Sequence, residues 1–321
     1  MDEDGLPALD GTPGTADGER PAGRPVVTLP ERSRHRIGIP DAGFGGLLRS
    51  LFSRMPWTET ASRMESLSVP APSGRALSIY NANGKTRVTG EDREDIEIRV
   101  HKSVRADCPD LAEKLLDLIS VQHSRSGEVL EIEVQIPRKC SRRAVAHIDV
   151  RVPRDTQLAL TSTNGKICLE GVERSIRARS SNGSVSINDV HGDIDVTTAN
   201  AKVTCRASHG RLHARSSNGK IEVGRHSGSI DASTSNGVIR ASVEALGRDG
   251  ISLSTSNGRI VLELAEDADA DVDIRVENGS IRNDLDLEDE VGETSGRIRG
   301  RLGKGGVPIR LRTSNGTVSL R

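Results

Sequence analysis

The chain has 321 residues, 34% hydrophobic and 28% charged, with 45 Lys and Arg against 46 Asp and Glu and a formal net charge of −1. That balance argues against the clustered basic footprint of a nucleic-acid binder, and no run approaches the ~20 apolar residues of a membrane-spanning helix. Aromatic residues are confined to Phe44, Phe52, Trp57 and Tyr80, too little volume for a broad core but enough for a thin one.

Residues 1–40 are rich in Gly, Pro and charge and lack apolar periodicity, so they are expected to be a disordered tail. They carry no basic n-region followed by an apolar stretch, hence no secretory signal. Cys108, Cys140, Cys168 and Cys205 have no close pair or metal-type spacing, which suits a reducing compartment. The expectation is a cytoplasmic protein, peripheral at the inner membrane. In residues 41–58, Phe44, Leu47, Leu48, Leu51, Phe52 and Met55 fall on one helical face, followed by Trp57. Such a helix either caps the end of a stacked fold or, through residues 44–55, docks on a membrane surface or a protein partner.

Residues 64–155 read as a small α/β lead-in module. Ser78–Val88 is strand, corner at Asn83-Gly84, strand; Pro109 opens a helix expected to run over 109–122. Val129–Ile136 and Val145–Val152 alternate as strands.

From residue 156 to 321 the chain is expected to form a parallel β-solenoid, making the whole an all-β fold with one or two short helices. Between Gly165 and Ala241 a pattern recurs every nine residues without insertion. Two residues after each corner stands a branched aliphatic, from Ile167 through Ile176 and Val185 to Ile239; four after it stands a second apolar residue, from Leu169 to Ala241. Spacing by two is the period of a strand with one buried face. Alternate corners differ, so the repeat is about eighteen residues, two strands per coil. One corner column is Asn164-Gly165, Asn182-Gly183, Asn200-Ala201, Asn218-Gly219 and Asn236-Gly237, where glycine suits a turn with positive φ. The opposite column is Gly192, Gly210 and Gly228. Three residues before most of the glycines of this column, and before Ala201, stands a hydroxyl: Ser162, Ser180, Thr198, Ser216, Thr234, Thr255 and Thr313. The register makes these an inward ladder. Outward, Arg177, Asp195, His213 and Asp231 are eighteen apart and predict neutralising neighbours worth ~0.2–1 kcal/mol a pair.

Beyond Ala241 the spacing lengthens, with corners at Asn257-Gly258, Asn278-Gly279 and Asn315-Gly316. Residues 284–306 read as an excursion from the coil, and Ile309–Arg321 as its last strands.

Tyr80-Asn81-Ala82-Asn83-Gly84, the helix, Val152-Pro153-Arg154, and the repeated Ser-Asn-Gly corners closing in Leu311-Arg312-Thr313-Ser314-Asn315-Gly316 resemble the bacterial β-strand-repeat proteins classed as candidate adhesins, a domain family of unknown function. The resemblance covers residues 65–321. It implies the repeat architecture and, by the family label, adhesion.

Chemistry is sparse. The corners lack the aspartate column of a calcium-binding β-roll. His191 and His209 would stack, without further ligands. Asp193, Asp195 and Asp231 alternate with arginines, which fits a structural ladder better than a glycosidase pair. Gly303-Lys304-Gly305-Gly306 reads as a turn. No nucleophile elbow, phosphate loop or zinc motif appears, so neither an enzyme nor a cofactor is expected. The sequence points to a noncatalytic scaffold binding an unidentified protein partner. Self-association into a filament and adhesion at the cell surface are the alternatives.

Overall fold

The computed structural model describes residues 59–293 and 296–321. The expected tail over 1–40 and helix over 41–58, with Phe44, Leu47, Leu48, Leu51, Phe52, Met55 and Trp57, lie outside them. The described residues form nineteen strands and one helix. In chain order these are β1 (Glu59–Pro70), β2 (Ala76–Asn81), β3 (Thr86–Glu91), β4 (Asp95–Ala106), α1 (Pro109–Asp117), β5 (Ser120–Ser126), β6 (Val129–Gln135) and β7 (Ala144–Pro153). Next come β8 (Gln157–Ser162), β9 (Ile167–Val172), β10 (Ile176–Ser180), β11 (Val185–His191), β12 (Ile194–Thr198), β13 (Val203–Ser216), β14 (Ile221–Asn236) and β15 (Ile239–Leu264). The chain closes with β16 (Ala270–Asn283), β17 (Glu288–Glu293), β18 (Arg297–Leu302) and β19 (Pro308–Leu320).

The middle coils share one plan. Ile176, Ala178 and Ser180 turn inward on β10; after the Asn182 corner, Val185 and Ile187 turn inward on β11. Pairing is parallel with an eighteen-residue step: Ile176 with Ile194 and Val185 with Val203. Only that step keeps every inward residue inward, because a slip of one would turn each apolar side chain to solvent. The first face runs β8, β10, β12, β13, β14, β15, and the second β9, β11, β13, β14, β15. The interior is thin and aliphatic. Ala178, Ala214 and Ala232 alternate with larger residues such as Val196 and Leu253, all fully buried. Each buried Val, Ile or Leu stabilises by ~1.5–3 kcal/mol.

A second bend was not visible in the spacing. Gly171, Asp189, Ala207 and Arg225, eighteen apart, have φ of 70°, 52°, 48° and 51°. Left-handed backbone costs a non-glycine residue ~1–2 kcal/mol. In return it breaks the alternation, as an added residue in a bulge does, and the next residues, Val172, Val190, Ser208 and His226, become buried.

Both ends depart from chain order. β2 and β3 precede β6 and β7 in sequence, yet they lie between that pair and β8–β9: β2 pairs with β6 and β8, and β3 with β7 and β9. The coil at Asn83 is thus part of the stack rather than of a separate lead-in. At the other end β19 lies between β15 and β16. Residues 309–321 are therefore last in sequence but not in space, which corrects the expected order. Antiparallel strands cover the outer coils: β5 on β6, β4 on β7, β1 on β4, then β18 on β16 and β17 on β18. Covering matters because an open edge invites other chains. Helix α1 adds Ala112 and Leu116 to the core and is tied to β1 by Arg63–Asp117 at 2.8 Å. It stops at Asp117, short of the expected residue 122, because residues 120–126 pair with β6 instead.

Candidate functional site

The corner asparagines form one continuous chain of side-chain hydrogen bonds. Nδ2 of Asn182 donates to Oδ1 of Asn164 (2.9 Å), Asn200 to Asn182 (3.0 Å), Asn218 to Asn200 (2.9 Å) and Asn236 to Asn218 (3.0 Å). Asn257 continues to Asn236 (3.0 Å), Asn315 to Asn257 (2.9 Å) and Asn278 to Asn315 (3.1 Å). The bonds share one direction, and their order records the displaced final strand. Asn83 stays outside this ladder and donates to the Ala144 and Ser141 carbonyls at 2.8 and 3.2 Å.

The corner glycines serve a different purpose from the one expected. Positive φ occurs at Gly84 (133°), Gly279 (154°) and Gly316 (153°), but not at Gly165, Gly183, Gly219, Gly237 or Gly258. There the backbone passes so close to the coil below that a Cβ at Gly183 would overlap the Gly165 carbonyl oxygen, and one at Gly258 that of Gly237. Close approach, rather than the turn type, requires glycine.

Behind the corners the hydroxyl ladder is buried. Ser162, Ser180 and Ser216 Oγ accept from the amides of Gly165, Gly183 and Gly219 at 2.9, 3.0 and 2.8 Å. Thr234 and Thr255 Oγ1 donate to the Gly219 and Gly237 carbonyls at 3.1 and 3.4 Å. Asn81 takes the equivalent slot in the first of these coils, donating to Ala146 O at 2.9 Å.

Outside, several charged residues face a partner across the strands. Arg177 meets Asp195 at 3.4 Å and His213 meets Asp231 at 3.0 Å. On the second face Lys202 and Lys220 both reach Glu222 at 2.5 Å, and those bonds hold its carboxyl at about 2. Beside the asparagine ladder, on the first face, runs an open groove of about 480 Å³. Ser233, Ser235, Ser254 and Ser256 line it with Arg275 and Arg312. Its chemistry is hydrogen bonding: hydroxyls and a few charges, without an aromatic surface.

One grouping resembles a nucleophile with its base. Cys205 Sγ lies 3.2 Å from Ser208 Oγ, which lies 2.8 Å from His226 Nδ1. All three are fully buried, and burial pushes the Cys205 thiol up to about 11. A substrate cannot reach them, and a thiol so raised is not a nucleophile at neutral pH. The column of Ser208 and His226 holds Val190 and Val243 in neighbouring coils, and Cys205 lies level with Ile187 and Val223, so the polar trio fills space that aliphatic side chains fill elsewhere. The His191 and His209 rings do not stack as expected: their centroids are 4.6 Å apart but the planes are tilted by 58°. Among the described residues no three His, Cys, Asp or Glu side chains group around a metal position. The turn at Gly303–Gly306 uses its amides internally: Lys304 N donates to Asp269 Oδ1 (2.7 Å) and Gly306 N to Asp271 Oδ2 (3.0 Å).

Residues 75–321 match the family model described as Toastrack DUF4097, and the chain belongs to that family. Among solved structures it is similar to a candidate cell adhesion protein from Clostridium sporogenes, at 10% identity and a TM-score of 0.28, covering 81% of this chain and 99% of that one. A candidate adhesin from Parabacteroides merdae aligns at 9% identity and a TM-score of 0.39, covering 81% and 96%. A candidate lipid binding protein from Parabacteroides distasonis gives 9% and 0.39, covering 81% and 97%. No curated protein matches. No helix of the described residues is long and apolar enough to cross a membrane.

Proposed function

We propose that this chain is a noncatalytic, adhesin-like interaction scaffold: a stiff β-rod whose outer rows bind a protein partner, with residues 41–58 as the docking segment at the inner membrane surface. The carrying observation is the groove beside the asparagine ladder. It is open, about 480 Å³, and lined by hydroxyls held in fixed register by parallel strands on both sides. A preordered polar surface loses little conformational freedom on binding.

The test is fractionation of native cells, combined with cross-linking, for the full chain, a chain lacking residues 41–58, and Ser233→Arg/Ser254→Arg. The expected result is a membrane pool lost on deletion and a cross-linked partner lost in the groove variant. A soluble pool for both chains would remove the docking role from residues 41–58. Unchanged cross-links in the double variant would move the partner away from the groove.

A further inference from the structure

Several outward charges face a neighbour of opposite sign, but a patch on the second face does not. At the C-terminal end of the second face, Arg240, Arg259, Arg282 and Arg321 line a depression of about 60 Å³ with buried Val261 and Ser319 and half-buried Thr317. Arg240 and Arg259 lie on successive turns of β15, and the displaced strand brings Arg282 and Arg321 beside them. Val261 pairs with Ser319 and Ser319 with Arg282, so β19 sets residues from three separate stretches side by side. Arg321 is engaged by Asp284 at 3.4 Å. Arg240, Arg259 and Arg282 have no carboxylate within ion-pair distance among the described residues. The nearest acid in the row of Arg240, Glu222, is already held by two lysines. Glu263 sits level with Arg321, one row along the strands, as the Arg321 amide bond to Leu262 O requires.

Like charges gathered on a sheet face repel, whereas neighbours such as Arg177 and Asp195, or Glu222 between Lys202 and Lys220, are of opposite sign. A second observation sets the patch apart. Ser319 lies between inward Val318 and Leu320, so its side chain is on the outer face, yet it is only 4% exposed and its Oγ has no hydrogen-bond partner. Val261 is likewise outward and 4% exposed. Both lie on the floor beneath the arginines, whose aliphatic stems can cover apolar surface while their heads stay in water. A buried hydroxyl without a partner is unfavourable by ~1–3 kcal/mol. Here it opens on a depression ringed by cations.

We propose that this depression is a binding site for a phosphate-type oxyanion, whether free or carried on a lipid headgroup. Guanidinium groups converge from three strands, with the Ser319 hydroxyl at the floor and Thr317 at the rim. Such a set offers donors in more directions than the two oxygens of a planar carboxylate can use, and it suits a tetrahedral group. Size agrees: one water needs ~10–15 Å³ on this measure, so the space takes about four to six heavy atoms. A phosphate fits, and anything larger must project outward.

The test uses the full chain, titrated calorimetrically with inorganic phosphate against chloride at equal ionic strength. In parallel, flotation is measured with phosphatidylcholine vesicles with and without phosphatidic acid. The expected result is saturable phosphate binding that Arg259→Gln/Arg282→Gln weakens at least about tenfold and Ser319→Ala about tenfold, the loss of a bond to a charged partner. Flotation only with phosphatidic acid, lost in the double variant, assigns the site to a headgroup. Binding by neither probe, or equal binding by wild type and double variant, overturns the site. A stability readout separates ligand recognition from bracing. In chloride the double variant should melt no lower than wild type, because it relieves repulsion; a lower melting temperature would make the arginines structural and overturn the proposal.

Discussion

The middle of the rod and its two ends are made of the same coils but assembled differently. Between Leu158 and Ala241 each coil is laid on the one before it in chain order, with an eighteen-residue step. At both ends a strand pair that is out of order in sequence lies one place in from the edge, between the middle and an outer coil. Stacking energy is local and similar throughout. The difference lies in what must be present before a coil can be completed: a neighbour on one side in the middle, neighbours on both sides at the ends.

The largest effect should come from breaking an end. Truncation after Gly306 removes β19, and with it the partner of both β15 and β16. The outcome expected is loss of cooperative unfolding and exposure of the coils from Ile251 onward to limited proteolysis. Equal protease resistance would mean β16 can close directly on β15. Next in size, Gly183→Ala in the middle must push the coils apart where the Gly165 carbonyl passes. A destabilisation of ~1–3 kcal/mol is expected, as for overpacking, read by denaturant midpoint. Gly127→Ala is the control, because nothing lies within 4 Å of its Cβ and only its φ of 60° opposes the change.

A smaller effect is tied to pH. Burial holds the His226 imidazole below its ordinary value. Its neighbours include Ser208 at 2.8 Å and the imidazole of His209, which adds to the depression. A depressed imidazole means the unfolded chain takes up the proton first. Stability is therefore at its full level above about 6.5, and declines as pH falls from there towards the folded value. His226→Val, matching Val190 and Val243 in the same column, should flatten the melting temperature between pH 6.5 and 4.5 by removing this one contribution. An unchanged slope would assign acid sensitivity elsewhere. Smallest is Asn218→Ala, which removes two ladder bonds, to Asn200 and from Asn236. Being exposed, they should contribute at the low end of ~0.5–1.5 kcal/mol each.

How much of this could be read from the sequence follows the same division. Ile176, Ile194, Leu212 and Ile230 stand eighteen apart and pair as their spacing requires, because a parallel stack in chain order writes its register directly into the sequence. The hydroxyl positions from Ser162 to Thr313 are legible for the same reason. The bend at Gly171, Asp189, Ala207 and Arg225 was not, since backbone shape is conserved there with no residue type in common. Asparagine 257 is followed in space by Asn315, thirty-seven residues beyond Asn278. Nothing in local spacing distinguishes that arrangement from a simple continuation. The arginine depression is hidden by the same fact, because Val261, Arg282 and Ser319 become neighbours only through the displaced strand.

That strand also gives the molecule a mechanical polarity. Among the described residues β1 is bonded along one side only, to β4, so a pull across the strand at its start opens bonds one after another, as a zip opens. β19 is bonded along both sides, to β15 and β16, and a pull along its axis loads both rows at once in shear. A rod tethered near residue 59 and gripped near residue 321 would yield first at the tether.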